Sequence, residues 1–173
     1  AVALEPQNAE YNSALNSFMS RNNGAFGADS SPSNGKVLTS EVTYESLIEA
    51  GDKAYKAEKY DEAVDCYTKA VVYNPQDLHT LLKIANIYKL QGNYTKAQNF
   101  YDKVLSLNSE NADAYFNKGL VLAAQKKYDD AIRCFEKVIQ LTPDYPYAYY
   151  SLGMSYEQKG DISKAIEYYY LYS

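Results

Sequence analysis

Chemistry on this chain would have to come from Cys66, Cys134, His79 or adjacent carboxylates such as Asp61-Glu62 and Asp129-Asp130. Nucleophilic catalysis needs a thiol or hydroxyl beside a base, and a metal site needs several ligands at close spacing. His79 is the single histidine, and no cysteine or acidic residue falls beside it at metal-ligand spacing. A lone surface imidazole of this kind is expected to be solvated. The carboxylate pairs fall where helices should start, complementing the positive end of the helix dipole. No glycine-rich phosphate loop occurs, and the glycines read as helix terminators or interhelix contacts. The expectation is a protein that is not an enzyme, with no catalytic residue, no cofactor and no metal.

The elements that carry these residues follow from a period of 34. The units are 44–77, 78–111, 112–145 and a shortened 146–173, and the same residue types return at the same offsets. Place eight is small (Gly51, Ala85, Gly119, Gly153) and place twenty is alanine (Ala63, Ala97, Ala131, Ala165). Place twenty-four is aromatic (Tyr67, Tyr101, Phe135, Tyr169), and proline holds place thirty-two in units one and three (Pro75, Pro143). A fixed period in this range marks a stacked repeat architecture.

Each unit carries two apolar periodicities of helical type. In unit two they are Leu81, Ile84, Ala85, Ile87, Tyr88 and then Tyr94, Ala97, Tyr101, Val104, Leu105. Turns such as Gln91-Gly92-Asn93 and Lys159-Gly160-Asp161 separate them, glycine supplying the left-handed backbone that ends a helix. The small residues let paired helices approach, and the aromatic fills the space beside them. One helix pair cannot bury its apolar face alone, so neighbours must stack into a continuous core. The predicted fold is an all-α solenoid with a concave wall made from the first helix of every unit.

This pattern resembles the tetratricopeptide (TPR) family over residues 44–173. Leu47, Leu81, Tyr115 and Tyr149 stand where the family often has tryptophan. Lys118 replaces the apolar seventh residue of unit three, and Ser109 the proline of unit two. The resemblance implies a right-handed α-solenoid of stacked antiparallel helix pairs whose groove binds a protein segment. The family's best-understood groove clamps acidic C-terminal tails of heat-shock chaperones. It uses lysine and asparagine on one unit, asparagine on the next, and lysine and arginine on the third. The matching positions here are Ile48, Asp52, Lys83, Asp113 and Asn117, and none agrees. Sliding by one unit recovers Asn86 and Asn117 but puts Leu82, Tyr147 and Ser151 in place of the cations. A carboxylate is held strongly only by charge-assisted donors, which disfavours an acidic tail.

Places 2, 5, 6, 9, 12 and 13 of each first helix should face the groove. Unit one then offers a mostly acidic set, Glu45, Ile48, Glu49, Asp52, Tyr55 and Lys56; unit two offers His79, Leu82, Lys83, Asn86, Lys89 and Leu90. Unit three is largely apolar, with Asp113, Phe116, Asn117, Leu120, Ala123 and Ala124, and unit four adds Tyr147, Tyr150, Ser151, Met154, Glu157 and Gln158. The candidate binding residues are Ile48, Asp52, Tyr55, Leu82, Lys83, Asn86, Lys89, Phe116, Asn117, Leu120, Tyr147, Tyr150 and Met154. Such a wall suits a peptide with a basic end and hydrophobic anchors. The expected function is a non-catalytic scaffold that binds a protein or peptide partner in the groove. Two alternatives are a self-assembling homo-oligomer joined through an uncapped fourth unit (Ile162, Ile166, Tyr169, Tyr170), and the regulatory repeat region of a larger enzyme or transport machine.

Composition narrows the classes further. A net charge of −5 and a pI near 4.9 argue against nucleic acid, which needs a basic face. No apolar run reaches the ~18 residues that membrane insertion requires. Of the twenty tyrosines, Tyr147, Tyr150, Tyr168, Tyr170 and Tyr172 exceed what the core pattern needs. Cys66 and Cys134 hold the same place two units apart, roughly 20 Å at ~8–10 Å per packed helix, too far for a disulfide. Free thiols fit a reducing compartment, and a cytoplasmic location is expected. Residues 1–20 read as the end of a preceding repeat, with Pro6 in the repeat's proline place, plus a capping-type helix bearing Tyr11, Ala14, Leu15, Phe18 and Met19. Residues 21–43 are polar and rich in glycine and serine, and read as a flexible linker. The start within a repeat and the stop at Ser173 suggest a piece of a longer protein. Residues 1–20 could also cap Ile166 and Tyr169 of a neighbouring copy.

Overall fold

The computed structural model of the chain describes residues 42–173. Among them the regular structure is eight helices without a strand. They are α1 (Tyr44–Lys56), α2 (Tyr60–Tyr73), α3 (Leu78–Leu90), α4 (Tyr94–Leu107), α5 (Ala112–Ala124), α6 (Tyr128–Leu141), α7 (Pro146–Gln158) and α8 (Ile162–Tyr172). Two helices fall in each of the units 44–77, 78–111 and 112–145 and in the shortened 146–173, as the two apolar periodicities per unit predict. The readings of residues 1–20 as a cap and 21–41 as a linker lie outside the described residues. Of the two remaining positions assigned to that linker, Thr43 caps α1 and Val42 accepts a hydrogen bond from Tyr73 at 3.1 Å.

Local chemistry fixes where the helices begin. Thr43 and Ser46 form a reciprocal capping box on α1. Asp77 accepts from the backbone N–H groups of His79 and Thr80, and Asn111 from that of Ala114, so the last residue of a unit starts the next unit's first helix. Pro146 opens α7, where its missing N–H costs nothing. The second helices α2 and α6 lack a side-chain cap but carry Asp61-Glu62 and Asp129-Asp130 in their first turns. The turn between paired helices needs one left-handed residue at place fifteen. Gly92 and Gly160 supply it with φ of 71° and 84°, while Glu58 (59°) and Lys126 (62°) adopt it in units one and three.

Inside each pair, an aromatic ring lies directly on the partner helix. A Cβ added to Gly51 would stand 2.5 Å from the Tyr67 ring, one on Gly119 2.5 Å from Phe135, and one on Gly153 2.6 Å from Tyr169. Ala63, Ala97 and Ala131 are completely buried at the same crossings, together with Tyr101 and Phe135. Successive helices pack on one another along the whole array, and α3 also meets α5 as α5 meets α7. The first helices therefore share a wall. The core runs in two connected stretches, one through units one and two and into α5, the other through units three and four. Lys118 sits at an otherwise apolar place because its ammonium pairs with Asp102 at 2.5 Å across the α4/α5 junction. Cys66 and Cys134 are free thiols; Cys134 is buried, and that burial pushes its pKa up.

Candidate functional site

The wall of first helices is best understood junction by junction. Between α1 and α3, Asp52 accepts from the Lys83 ammonium at 2.5 Å and from the Tyr67 hydroxyl at 2.5 Å. Lys83 also lies 5.2 Å over the Tyr67 ring. The Lys83 ammonium, then the Tyr67 hydroxyl, hold the Asp52 carboxyl below its usual range against the opposing effect of burial. Between α3 and α5, the Lys89 ammonium donates to the Asn117 side-chain oxygen at 2.6 Å, and Asn117 donates to the Asp113 carbonyl at 2.8 Å. Burial lowers the Lys89 pKa. Each of these junctions is thus closed by a lysine from α3.

The third junction is open. Leu120, Ala123 and Ala124 from α5 face Ser151, Met154, Ser155 and Gln158 from α7 across a cleft of about 370 Å³, with Tyr128 and Phe135 behind it. Small residues, Ala123 and Ser151, stand at the places where Lys89 and Lys83 bridge their own junctions. Ser151 was expected on the wall, but it is buried. Its hydroxyl donates to the Tyr147 carbonyl one turn back at 2.7 Å, which draws the side chain into its own helix.

A second regularity joins the wall to the core. The place-twenty-four hydroxyl of Tyr67 donates to Asp52 at place nine, and that of Tyr101 donates to Asn86 at 2.6 Å, again at place nine. Unit three has Phe135 without a hydroxyl, and Leu120 at place nine needs no donor. Unit four has Met154 there, so the Tyr169 hydroxyl turns to Glu157 at 2.6 Å; burial and that carboxylate push the phenol up to about 12. Sequence reasoning missed this coupling. The signal was present in the paired change of Tyr to Phe and of polar to apolar in unit three.

The remaining candidates divide by exposure. Tyr55 (42%), Tyr147 (63%), Tyr150 (43%) and Met154 (45%) offer apolar surface. Ile48 and Leu82 lean half-buried on the core of units one and two. Phe116 was read as a wall anchor, but it packs 5.8 Å from the Phe135 ring and 5.0 Å from Tyr145, so part of it belongs to the core. Of the surplus tyrosines, Tyr168 stacks on Tyr156 at 5.5 Å, while Tyr170 and Tyr172 are exposed. The His79 backbone N–H donates to Asp77 and its side chain is exposed. No group of carboxylates, thiols and imidazole among the described residues could hold a metal. No described helix is long and apolar enough to cross a membrane.

Two sequence families match this array. The profile of a TPR repeat aligns with residues 119–160, and that of the anaphase-promoting complex, cyclosome, subunit 3 aligns with residues 56–138. No curated protein matches the chain. Among solved structures, MamA superposes with a TM-score of 0.73 at 27% identity, over 79% of this chain and 81% of MamA. A MamA from Desulfovibrio magneticus RS-1 superposes at 0.71 with 20% identity, covering 77% and 75% of the two chains. The first TPR of Spaghetti (RPAP3), bound to HSP90 peptide SRMEEVD, superposes at 0.63 with 28% identity over 68% of this chain and 96% of that one.

Proposed function

Residues 44–173 are a tetratricopeptide-repeat array, and from that premise we propose that the chain is a non-catalytic scaffold holding a segment of a partner protein against its first-helix wall. The open junction between α5 and α7 carries this reading. It is an apolar cleft lined in part by the exposed Met154, with Tyr147 and Tyr150 exposed on the same helix, on a wall whose other junctions are closed by lysine. Contiguous apolar surface on a folded domain marks a place where something docks. The likeness to the Spaghetti repeat domain, whose structure holds a peptide, supports a peptide-sized ligand. The wall residues proposed to meet it are Ile48, Asp52, Tyr55, Leu82, Lys83, Asn86, Lys89, Phe116, Asn117, Leu120, Tyr147, Tyr150 and Met154.

A photoreactive amino acid in place of Tyr55 or Tyr147 on the wall, or of Tyr73 or Tyr170 on the second helices, tests this in cells. Adducts with a partner protein formed from the wall positions alone support the groove. Adducts formed from Tyr73 while the wall gives none overturn it. A second reading, self-assembly, is favoured by α8, which exposes Ile162, Ile166 and Tyr170. Its signature is an adduct between two copies of the chain from position 170.

A further inference from the structure

Resting on the groove reading above, we infer that the partner segment is a cationic peptide. One large aliphatic or aromatic side chain enters the α5/α7 cleft, and lysine or arginine side chains run back toward Glu45 and Glu49 on α1. The three junctions of the wall are equivalent in the repeat, so their differences are informative. Lys83 closes the first on Asp52 and Lys89 closes the second on Asn117. The third has the small residues Ala123 and Ser151 at the two places those lysines hold and stays open at about 370 Å³. That volume is near the lower end of ligand pockets, about 300–1,000 Å³, and suits an anchor side chain more than a small-molecule cofactor.

Charge decides the rest of the peptide. Lys83 and Lys89, the lysines of α3 on the wall, are already engaged within it. Glu45 and Glu49 are exposed and have no ion-pair partner among the described residues. Glu157 adds a further exposed carboxylate on α7, bound to the neutral Tyr169 hydroxyl of α8. An acidic segment would face these carboxylates, and to gain Lys83 or Lys89 it would have to break the contact each makes within the wall, which leaves Lys56 at the end of α1 as the wall cation outside those contacts. A basic segment costs no such rearrangement. From the cleft to α1 is about two and a half helix spacings, roughly 20–25 Å at ~8–10 Å each. An extended chain at ~3.3 Å per residue covers that in roughly six to eight residues, which sets the separation of anchor and charge.

Fluorescence anisotropy of the full chain with short labelled peptides tests the assignment. One set carries leucine or phenylalanine at one end, a Gly-Ser spacer and lysine or arginine at the other, in both chain directions. A matched set carries glutamate and aspartate instead. The basic set should bind, more weakly as salt screens the charges. Glu45→Lys with Glu49→Lys should abolish the salt dependence. Ala124→Leu, which fills the cleft from an exposed position, and Met154→Ala should each weaken binding about tenfold or more, as loss of a buried anchor does. All these positions are exposed, so an unchanged unfolding midpoint shows that the fold survives. Preferential binding of the acidic set, no binding of the basic set, or indifference to both cleft variants overturns the inference. The groove reading is judged separately by the cross-linking pattern, so either can fail without the other.

Discussion

Glu58 and Lys126 occupy a backbone region that ordinary side chains avoid, at φ of 59° and 62°, where the other two units place glycine. Left-handed backbone costs a non-glycine residue roughly 1–2 kcal/mol, offset in part by the greater freedom glycine loses on folding. Glu58→Gly and Lys126→Gly should therefore each raise stability by about 0.5–1 kcal/mol, read as a higher denaturant midpoint with an unchanged slope. Asp52 gives a pH-dependent case. Its carboxyl is depressed by Lys83 and Tyr67, so its contribution is present above the unfolded value near ~3.9 and is lost as pH falls through the lower folded value. Asp52→Asn should lower stability at neutral pH, and the gap to the parent should close in acid. The pair is partly exposed, which limits the effect to about 1 kcal/mol or less. At neither position does the residue type announce its role. Place fifteen is left-handed because of the turn around it, and Asp52 is clamped only because α3 brings Lys83 across.

At the scale of the helix pair, close approach is the constraint. Ala131 is completely buried where α6 crosses α5, and the Phe135 ring lies on Gly119. Ala97→Leu or Ala131→Leu should cost about 1–3 kcal/mol through overpacking, seen as a fall in the thermal midpoint. An unchanged midpoint would place these alanines outside the crossings. The helices and their order were legible in the sequence because packing repeats every 34 residues, and the same contacts impose the same residue types. The state of each junction was not. Whether Lys89 faces solvent or closes on Asn117 depends on a helix from the next unit, and neither residue belongs to the repeat pattern. Ser151 was misplaced for a related reason: its own helix offers the Tyr147 carbonyl, which the periodicity of apolar residues does not reveal.

Across the whole array, stability and binding should separate by position. In stacked repeats each unit meets only its neighbours, so a core lesion is felt locally. Tyr147→Ala and Met154→Ala should weaken capture of a wall-bound partner while leaving helix content and unfolding midpoint near the parent values. Phe116→Ala should lower both, since its ring serves the core as well as the wall; its packed face puts the stability loss at about 3 kcal/mol or somewhat less. Circular dichroism melts beside a binding titration would distinguish these outcomes. The ion pairs that tie one unit to the next, such as Lys159 with Asp129, lie at the surface and should add little to the total.

The tie between place nine and place twenty-four has a consequence for anyone grafting one repeat's specificity onto another. In units one and two the place-nine residue cannot be swapped alone, because the phenol behind it loses its acceptor. Asn86→Leu should strand the hydroxyl of the fully buried Tyr101 ring, at about 1–3 kcal/mol. Adding Tyr101→Phe should restore most of that loss, since Leu120 with Phe135 already shows the apolar version in unit three. The inheritable quantum of recognition in this protein is thus a two-residue haplotype, and a double-mutant cycle would measure how tightly it is linked.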